Sequence, residues 1–405
     1  MIVSCDDICA EIVSYIANMK DMLSWKSLCK LTYNRLNYVS FTCTRYVHNI
    51  IPSKLDLSFT VEPDNLLKNI KEYGHHLISL VCSKYVNNEM LSYMPNLRYI
   101  NCLENFIITD EGIKHLPFLR YLDCGNSDIS MEILQYVTRL ETLISRTESY
   151  FGVISNIPTL KTLDCKYNVI YKLSNLPNLT YLRCGKNFKI EGIETLSSLR
   201  YLICSHSFSI NDNNIQNLIN LVHLDCGLSP NVSDLGLMSL SNLTQLKCGN
   251  SVNITNNAFE YLPNLTHLDC GSNTSISNDG LRLLKKLKYL YCSYNPNITD
   301  LSVVPSLEYV NCGRNSGIRD ISFKNCNNII HLDCWAHHKL TDLTLLYLPN
   351  LVSLSYRYKT NFSNGAIANL KKLKHISCSN NIGCYMYSDL DIECITCSCD
   401  FAHKF

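Results

Sequence analysis

Neither sign of charge prevails in this chain: 36 Lys and Arg stand against 35 Asp and Glu, a net charge of +1. A clustered basic excess, the footprint of a nucleic-acid binder, is missing, so no nucleic-acid partner is expected. No apolar run approaches the ~18 residues that span a bilayer, and no membrane partner is expected either. The opening stretch, MIVSCDDICAEIVSYIANMKD, lacks a basic leader and places Asp6, Asp7 and Glu11 where a signal peptide is apolar. It reads as the start of a soluble, cytoplasmic protein. A Walker loop, a GxSxG elbow and an HExxH helix are all missing, which argues against an enzyme and leaves no cofactor to expect.

Cysteine is abundant, with 22 residues. Disulfide scaffolds are short and secreted, whereas this chain is long and spaces its cysteines evenly. Even spacing is a structural period. The sequons at Asn178, Asn242, Asn264 and Asn297 are accordingly expected to stay unglycosylated. Aligned on L-x-x-L-x-C, the register positions are Cys82, Cys102, Cys124, Ser145, Cys165, Cys184, Cys204, Cys226, Cys248, Cys270, Cys292, Cys312, Cys334, Tyr356 and Cys378. That makes 15 units, 13 of them with cysteine, separated by 19 to 22 residues. An earlier strand is expected at Leu55 and Leu57.

Each letter of the unit has a physical task. Leu268 and Cys270 are two apart and share the inward face of a strand. Asn273, three after the cysteine, recurs as Asn105, Asn168, Asn187, Asn295, Asn315 and Asn381. Its amide can satisfy the backbone of neighbouring turns. Ile276 recurs as Ile190, Ile210, Ile254, Ile298 and Ile318, a second inward row. Leu281 and Leu284 lie on a return segment, short-helical or 3-10 by their spacing, and prolines such as Pro263 break it before the next strand.

This unit resembles the leucine-rich repeat, with Cys in place of the third Leu, over residues ~78 to 381. The resemblance implies an α/β solenoid: a right-handed horseshoe with a parallel sheet on its concave side and short helical or 3-10 returns. At ~4.8 Å per strand, 14 steps give a sheet roughly 67 Å long. The cysteine column then reads as a reduced packing column, since a line of inward thiols offers zinc no tetrahedron and parallel side chains strain a disulfide.

The outward rows lie at −3, −1 and +1 from the cysteine. The −3 row includes Tyr121, Tyr181, Tyr201, His223, His267, Tyr289, Tyr309 and His331, and we read these eight as a surface for a protein target. The alternative is a solvated sheet whose rings only support each other. The −1 row carries Asp123, Asp164, Asp225, Asp269 and Asp333, with Lys247 between two of them, and the +1 row is rich in glycine. HLDC occurs three times, at His223, His267 and His331, so it belongs to the scaffold and is not a catalytic pair.

Three segments are expected: a helical module over 1–50, the solenoid over 51–381 and a Cys-rich cap or tail over 382–405. Ile8, Ile12 and Ile16 share one helical face, and Met22 and Leu28 fall on a second helix after Asp21. With Glu11, Cys29 and Lys30 these residues resemble an F-box, although Cys9 stands where that family has proline. The resemblance implies that Ile8, Ile12, Ile16, Met22 and Leu28 face a Skp-type adaptor of a cullin ubiquitin ligase; a helical cap over the first coil is the other reading. The Asn-, Ile-, Tyr- and Lys-heavy composition is also similar to that of repeat proteins of large DNA viruses of amoebae, which would place the chain in host cytoplasm. At the far end Cys384, Cys394, Cys397, Cys399 and His403 have zinc-like spacing with half a site missing, so no metal is expected. The function expected is protein recognition, as an F-box substrate receptor or as a stand-alone scaffold or decoy.

Overall fold

The computed structural model describes residues 74–379 apart from short breaks at 83, 126, 146–149, 167–168, 186–189 and 358–360. Beyond these it describes the stretches Val39–Thr42, Leu55–Asp56 and Cys394–Cys397 and a few positions between 67 and 71. Ile8, Ile12, Ile16, Met22, Leu28, Cys384, Cys399 and His403 lie outside the described residues, as do Asn168, Asn187 and Asn381.

The chain divides into two compact units, Met1–Tyr181 and Leu182–Phe405. The first holds β1 (Val39–Thr42), β2 (Leu55–Asp56), β3 (Leu77–Val81), β4 (Tyr99–Asn101), β5 (Tyr121–Asp123), β6 (Thr142–Ile144), β7 (Tyr150–Ser155), β8 (Thr162–Cys165) and β9 (Val169–Ser174). Strand β1 lies between β2 and β3, and β3, β4, β5, β6 and β8 follow in sequence, all parallel. Strands β7 and β9 form a separate parallel pair. They replace the short helical return expected of every unit. Length alone does not decide this, since the 20-residue coils from Cys82 to Cys102 and from Cys184 to Cys204 keep a helical or 3-10 return. The β-branched Val153, Ile154, Val169 and Ile170 suit an extended return.

Strand β10 (Tyr181–Cys184) runs across the division. The second unit continues with β11 (Tyr201–Ile203), β12 (His223–Asp225), β13 (Gln245–Lys247), β14 (His267–Asp269), β15 (Tyr289–Tyr291), β16 (Tyr309–Asn311), β17 (His331–Asp333), β18 (Ser353–Arg357), β19 (His375–Ser379) and β20 (Cys394–Cys397). From β11 to β20 each strand pairs in parallel with the next, in register with the repeat. Cys397 stands opposite Cys378, so the last strand keeps the cysteine register. Returns are single helical or 3-10 turns, such as Asp234–Leu237 and Asn278–Leu281.

The interior is as the spacing predicts. Leu224, Leu246, Leu268 and Leu290, the isoleucine row and the register cysteines from Cys82 to Cys378 are buried. Several thiols donate to the carbonyl before the register position of the next coil, Cys102 Sγ to Asp123 O at 3.2 Å and Cys270 Sγ to Tyr291 O at 3.6 Å. The register cysteines from Cys82 to Cys378, and Cys326, are free thiols.

Polar side chains tie coil to coil in four further columns. In the first, Asn273 Nδ2 donates to Ser251 O at 2.8 Å and Ile254 O at 3.0 Å, and its Oδ1 accepts from Ser275 N. Asn105 and Asn295 act alike, while Ser229 and Ser251 occupy the same place with a hydroxyl. Asn315 does not: it is exposed with φ 56°, and Ser316, one residue on, takes the buried position. In that coil the left-handed residue has moved from +2 to +3, which displaces the column by one.

The second column was not read from the sequence. In many coils a Ser or Thr that caps the return helix gives its backbone N–H to an Asp or Asn of the preceding coil, and its hydroxyl donates to the Asp or accepts from the Asn amide. Ser233 N and Oγ reach Asp212 at 2.8 and 2.6 Å, and Thr255 N and Oγ1 reach Asp234 at 2.7 and 2.6 Å. Ser277 and Asn256 repeat the clasp with an amide. The hydroxyl also accepts from the helix, as Ser233 does from Leu235 N, so one group caps its own turn and joins two coils. The other two columns are amides that donate to carbonyls one coil back, Asn264 to Ser241 O and Asn297 to Thr274 O among them.

The clasp explains a glycine. A Cβ on Gly236 would lie 2.5 Å from Asp212 Oδ1 and 2.8 Å from Ile215 Cδ1. Ala in place of Gly inside a helix normally gains roughly 1 kcal/mol. Here Gly236→Ala is expected to lose about 1–3 kcal/mol, because the clasp or the Ile215 packing must give way. A lowered urea midpoint for this variant checks it; an unchanged or raised midpoint would refute the account.

Candidate functional site

With the interior occupied by Leu, Cys and Ile, the side chains of the alternate strand positions stand on the opposite face of the sheet. In the second unit the −3 row runs Tyr201, His223, Gln245, His267, Tyr289, Tyr309, His331, each opposite the next in register. Tyr201 is 43% exposed and the others are half-buried. Tyr201 reaches His223 at 6.2 Å, and a longer run of ring contacts spans four coils. His267 stacks on Tyr289 with centroids 4.1 Å apart and planes 5° apart, Tyr289 reaches Tyr309 at 6.0 Å, and Tyr309 reaches His331 at 6.3 Å. In the first unit Tyr99 stacks on Tyr121 at 4.1 Å, and Tyr181 is half-buried.

Tyr291 was missed by the sequence reading. It sits in the −1 row, where the other coils carry charged, polar or aliphatic side chains and no ring, and its ring lies 5.0 Å from that of Tyr309. The signal was available as the single aromatic in that row. Burial raises the Tyr309 hydroxyl well above the usual phenol range, with Tyr291 and Asp333 adding to it.

The acidic row serves the backbone. Asp225, Asp269 and Asp333 each accept from the N–H two residues on, at 3.3, 3.1 and 3.3 Å. Asp123 and Asp164 are buried, against the outward exposure expected of that row; Asp123 accepts from Gly125 N. Burial raises the Asp269 carboxyl, opposed by the Gly271 N–H and Lys247. His223 Nδ1 is bound to Gln245 Oε1 at 2.7 Å and His267 Nδ1 to Thr266 Oγ1 at 2.8 Å, so these two rings are oriented by neighbours other than the aspartates. Burial lowers the His267 pKa, and His223 adds to it.

The glycines beside the aspartates are a matter of close approach. A Cβ on Gly249 would meet Gly271 O at 2.9 Å, inside any normal contact. The bareness of the +1 row therefore follows from coil spacing. Burial pushes the Cys124 and Cys184 thiols up to about 12, leaving them protonated and unreactive. No cluster able to hold a metal occurs among the described residues.

A family model described as leucine-rich repeats in two copies matches residues 263–306. Among solved structures, a leucine-rich repeat protein of Leptospira interrogans is 18% identical with a TM-score of 0.53, over 77% of this chain and 86% of that one. TLR13, in its complex with ssRNA13, is 17% identical with a TM-score of 0.56, over 81% of this chain and 63% of that one. An internalin from Listeria monocytogenes is 21% identical with a TM-score of 0.46, over 72% and 88%. No curated protein matches in sequence. The fold is that of a leucine-rich repeat solenoid, and residues 263–306 match the leucine-rich repeat model itself.

One titratable group breaks the asparagine column. His337 stands three after Cys334 and is 2% exposed. Its Nδ1 accepts from Lys339 N at 3.3 Å and its Nε2 meets Ser316 Oγ at 2.9 Å, which in turn donates to Cys312 O. This chain of donors requires the neutral ring with its proton on Nε2. Burial, helped by Lys339 and His338, pushes its pKa down to about 4. A histidine held neutral in the fold but free to protonate when unfolded costs stability as pH falls below ~6.5, and the loss is complete near the folded value. His337→Asn, which restores the usual residue of the column, is expected to remove an acid-dependent loss of about 2–3 kcal/mol between pH 7 and pH 4. Melts of both proteins across that range check it; parallel curves would refute it.

Proposed function

We propose that this leucine-rich repeat protein is a non-enzymatic receptor whose strand face, in the unit from Leu182, docks a protein target. The ring row carries this reading. Tyr201, Tyr289 and Tyr309 occupy positions that Gln245 and Ser353 fill in other coils with the same register, so stacking of the coils does not require rings there. Half-exposed tyrosines at a rigid sheet are good anchors for a partner. The balanced charge favours a protein over the RNA bound by TLR13. Converting Tyr201, Tyr289 and Tyr309 to Ala together should lower capture of the target from a lysate by at least ~10-fold and leave the melting profile close to wild type. Undiminished capture would move the site elsewhere.

The finer reading is a substrate receptor of a cullin-type ubiquitin ligase, holding its target close to a transferase supplied by others. It rests on Ile8, Ile12, Ile16, Met22 and Leu28 and their likeness to an F-box. A Skp-type adaptor should co-purify with the full chain and be lost on Ile12→Asp with Leu28→Asp. A wild-type chain that retains no adaptor would leave a stand-alone scaffold or decoy. A cytoplasmic site of action is supported by the free thiols and by the sequons, because Asn178, Asn242, Asn264 and Asn297 all commit Nδ2 to a carbonyl of the preceding coil.

A further inference from the structure

The ring cluster has a symmetry that the repeat alone does not impose. Two tyrosine strands, YLY of β15 and YVN of β16, are bracketed by two identical strands, HLD of β14 and of β17. In register, the outer row reads Asp269, Tyr291, Asn311, Asp333. These four strands carry two carboxylates and no lysine or arginine. The cations at their border are Lys247, in register with Asp269 and with Asp225 on its other side, and Lys288, bound to Glu308 at 2.7 Å. Arg314 is exposed at the following turn.

We propose that this patch takes two arginine side chains, four residues apart, from an extended segment of the partner. This rests on the docking reading above and narrows it to one chemistry. A guanidinium stacks flat on a phenol or imidazole face and offers a fork of N–H donors to a carboxylate, whereas an ammonium has no plane to stack. Acidic and phosphate ligands meet repulsion from Asp269 and Asp333. The spacing follows from geometry. Three strand intervals of ~4.8 Å put the bracketing carboxylates roughly 14 Å apart, and four residues of extended chain at ~3.4 Å span the same length with both side chains on one face.

The test titrates the full chain with capped seven-residue peptides, alanine and serine throughout except for two arginines at i and i+4. The comparison peptides place the arginines at i and i+1, or replace them by lysine or glutamate; a single-stranded RNA oligomer completes the set. The i, i+4 arginine peptide should bind at least 10-fold more tightly than the glutamate peptide and at least 3-fold more tightly than the other two. Asp269→Asn with Asp333→Asn keeps the acceptors for Gly271 and Trp335 and should weaken binding at least 5-fold with a reduced salt dependence. Tyr291→Ala should weaken it while Tyr291→Phe retains it. Equal binding of the arginine and glutamate peptides, or tighter binding of the RNA, overturns the proposal. If the arginine peptide is inert while the triple tyrosine variant still loses its captured target, only the arginine chemistry fails; if capture also survives that variant, the docking surface fails with it.

Discussion

Each coil of this protein bends sharply every few residues, and the backbone groups freed at those bends have no sheet to pair with. Leaving them buried and unpaired would cost more than the packing of a single coil supplies. The solution is the neighbouring coil. Asn273 fills three such groups from within, the Ser277–Asn256 clasp fills them at the return helix, and Asn264 and Asn297 fill them at the edges. A coil is thus incomplete without the next one, which is the physical content of a stack in which stability passes between neighbours.

The thiol column belongs to the same scheme. At the register position a side chain must fit between coils, remain apolar in bulk and still accommodate a carbonyl close by. Cysteine does this with a small, polarisable sulfur that can donate weakly, as Cys292 does to Asn311 O at 3.5 Å. Ser145 and Tyr356 occupy the same column and are buried too, so the position tolerates a hydroxyl or a ring where the neighbours allow it. Desolvation raises the thiol pKa along the column from Cys184 to Cys334, Cys204 and Cys270 included. The residues that look most reactive in the sequence are the least available.

What could be read from the sequence was whatever repeated with an apolar period: the leucine and cysteine strand, the isoleucine row, the parallel order of strands. The Asp–Ser clasp also recurred, as the Ser-Asp, Thr-Asn or Ser-Asn pair before many of the returns, but it is polar on both sides and looks like an exposed turn until the coils are stacked. Asn315 and Ser316 show the limit of counting, since one shift of a left-handed residue moved the buried position by one. The strands β7 and β9 take the place of a helical return in coils whose leucine and cysteine period gives no sign of the change. At the candidate site the tyrosine row was legible because it alternates with leucine, whereas Tyr291 was hidden in a row taken to be acidic.

In a repeat protein, a residue that recurs in every coil is explained by the stack, and only departures from the stack are free to carry something else. The aspartates of HLDC recur and hold backbone N–H groups, so their recurrence belongs to the stack. The rings at −3 are different, because coils with Thr142, Thr162 or Gln245 at that place keep the same parallel register as coils with tyrosine. Tyr291 departs further, standing between Asp269 and Asn311 in a row where a ring neither caps a turn nor fills the interior. Two independent departures meeting at Tyr291 and Tyr309, 5.0 Å apart, are what separate this stretch of sheet from the rest of the face. The scaffold accounts for the cysteines, asparagines and glycines; it does not account for these rings, which is why the proposed docking surface is placed on them.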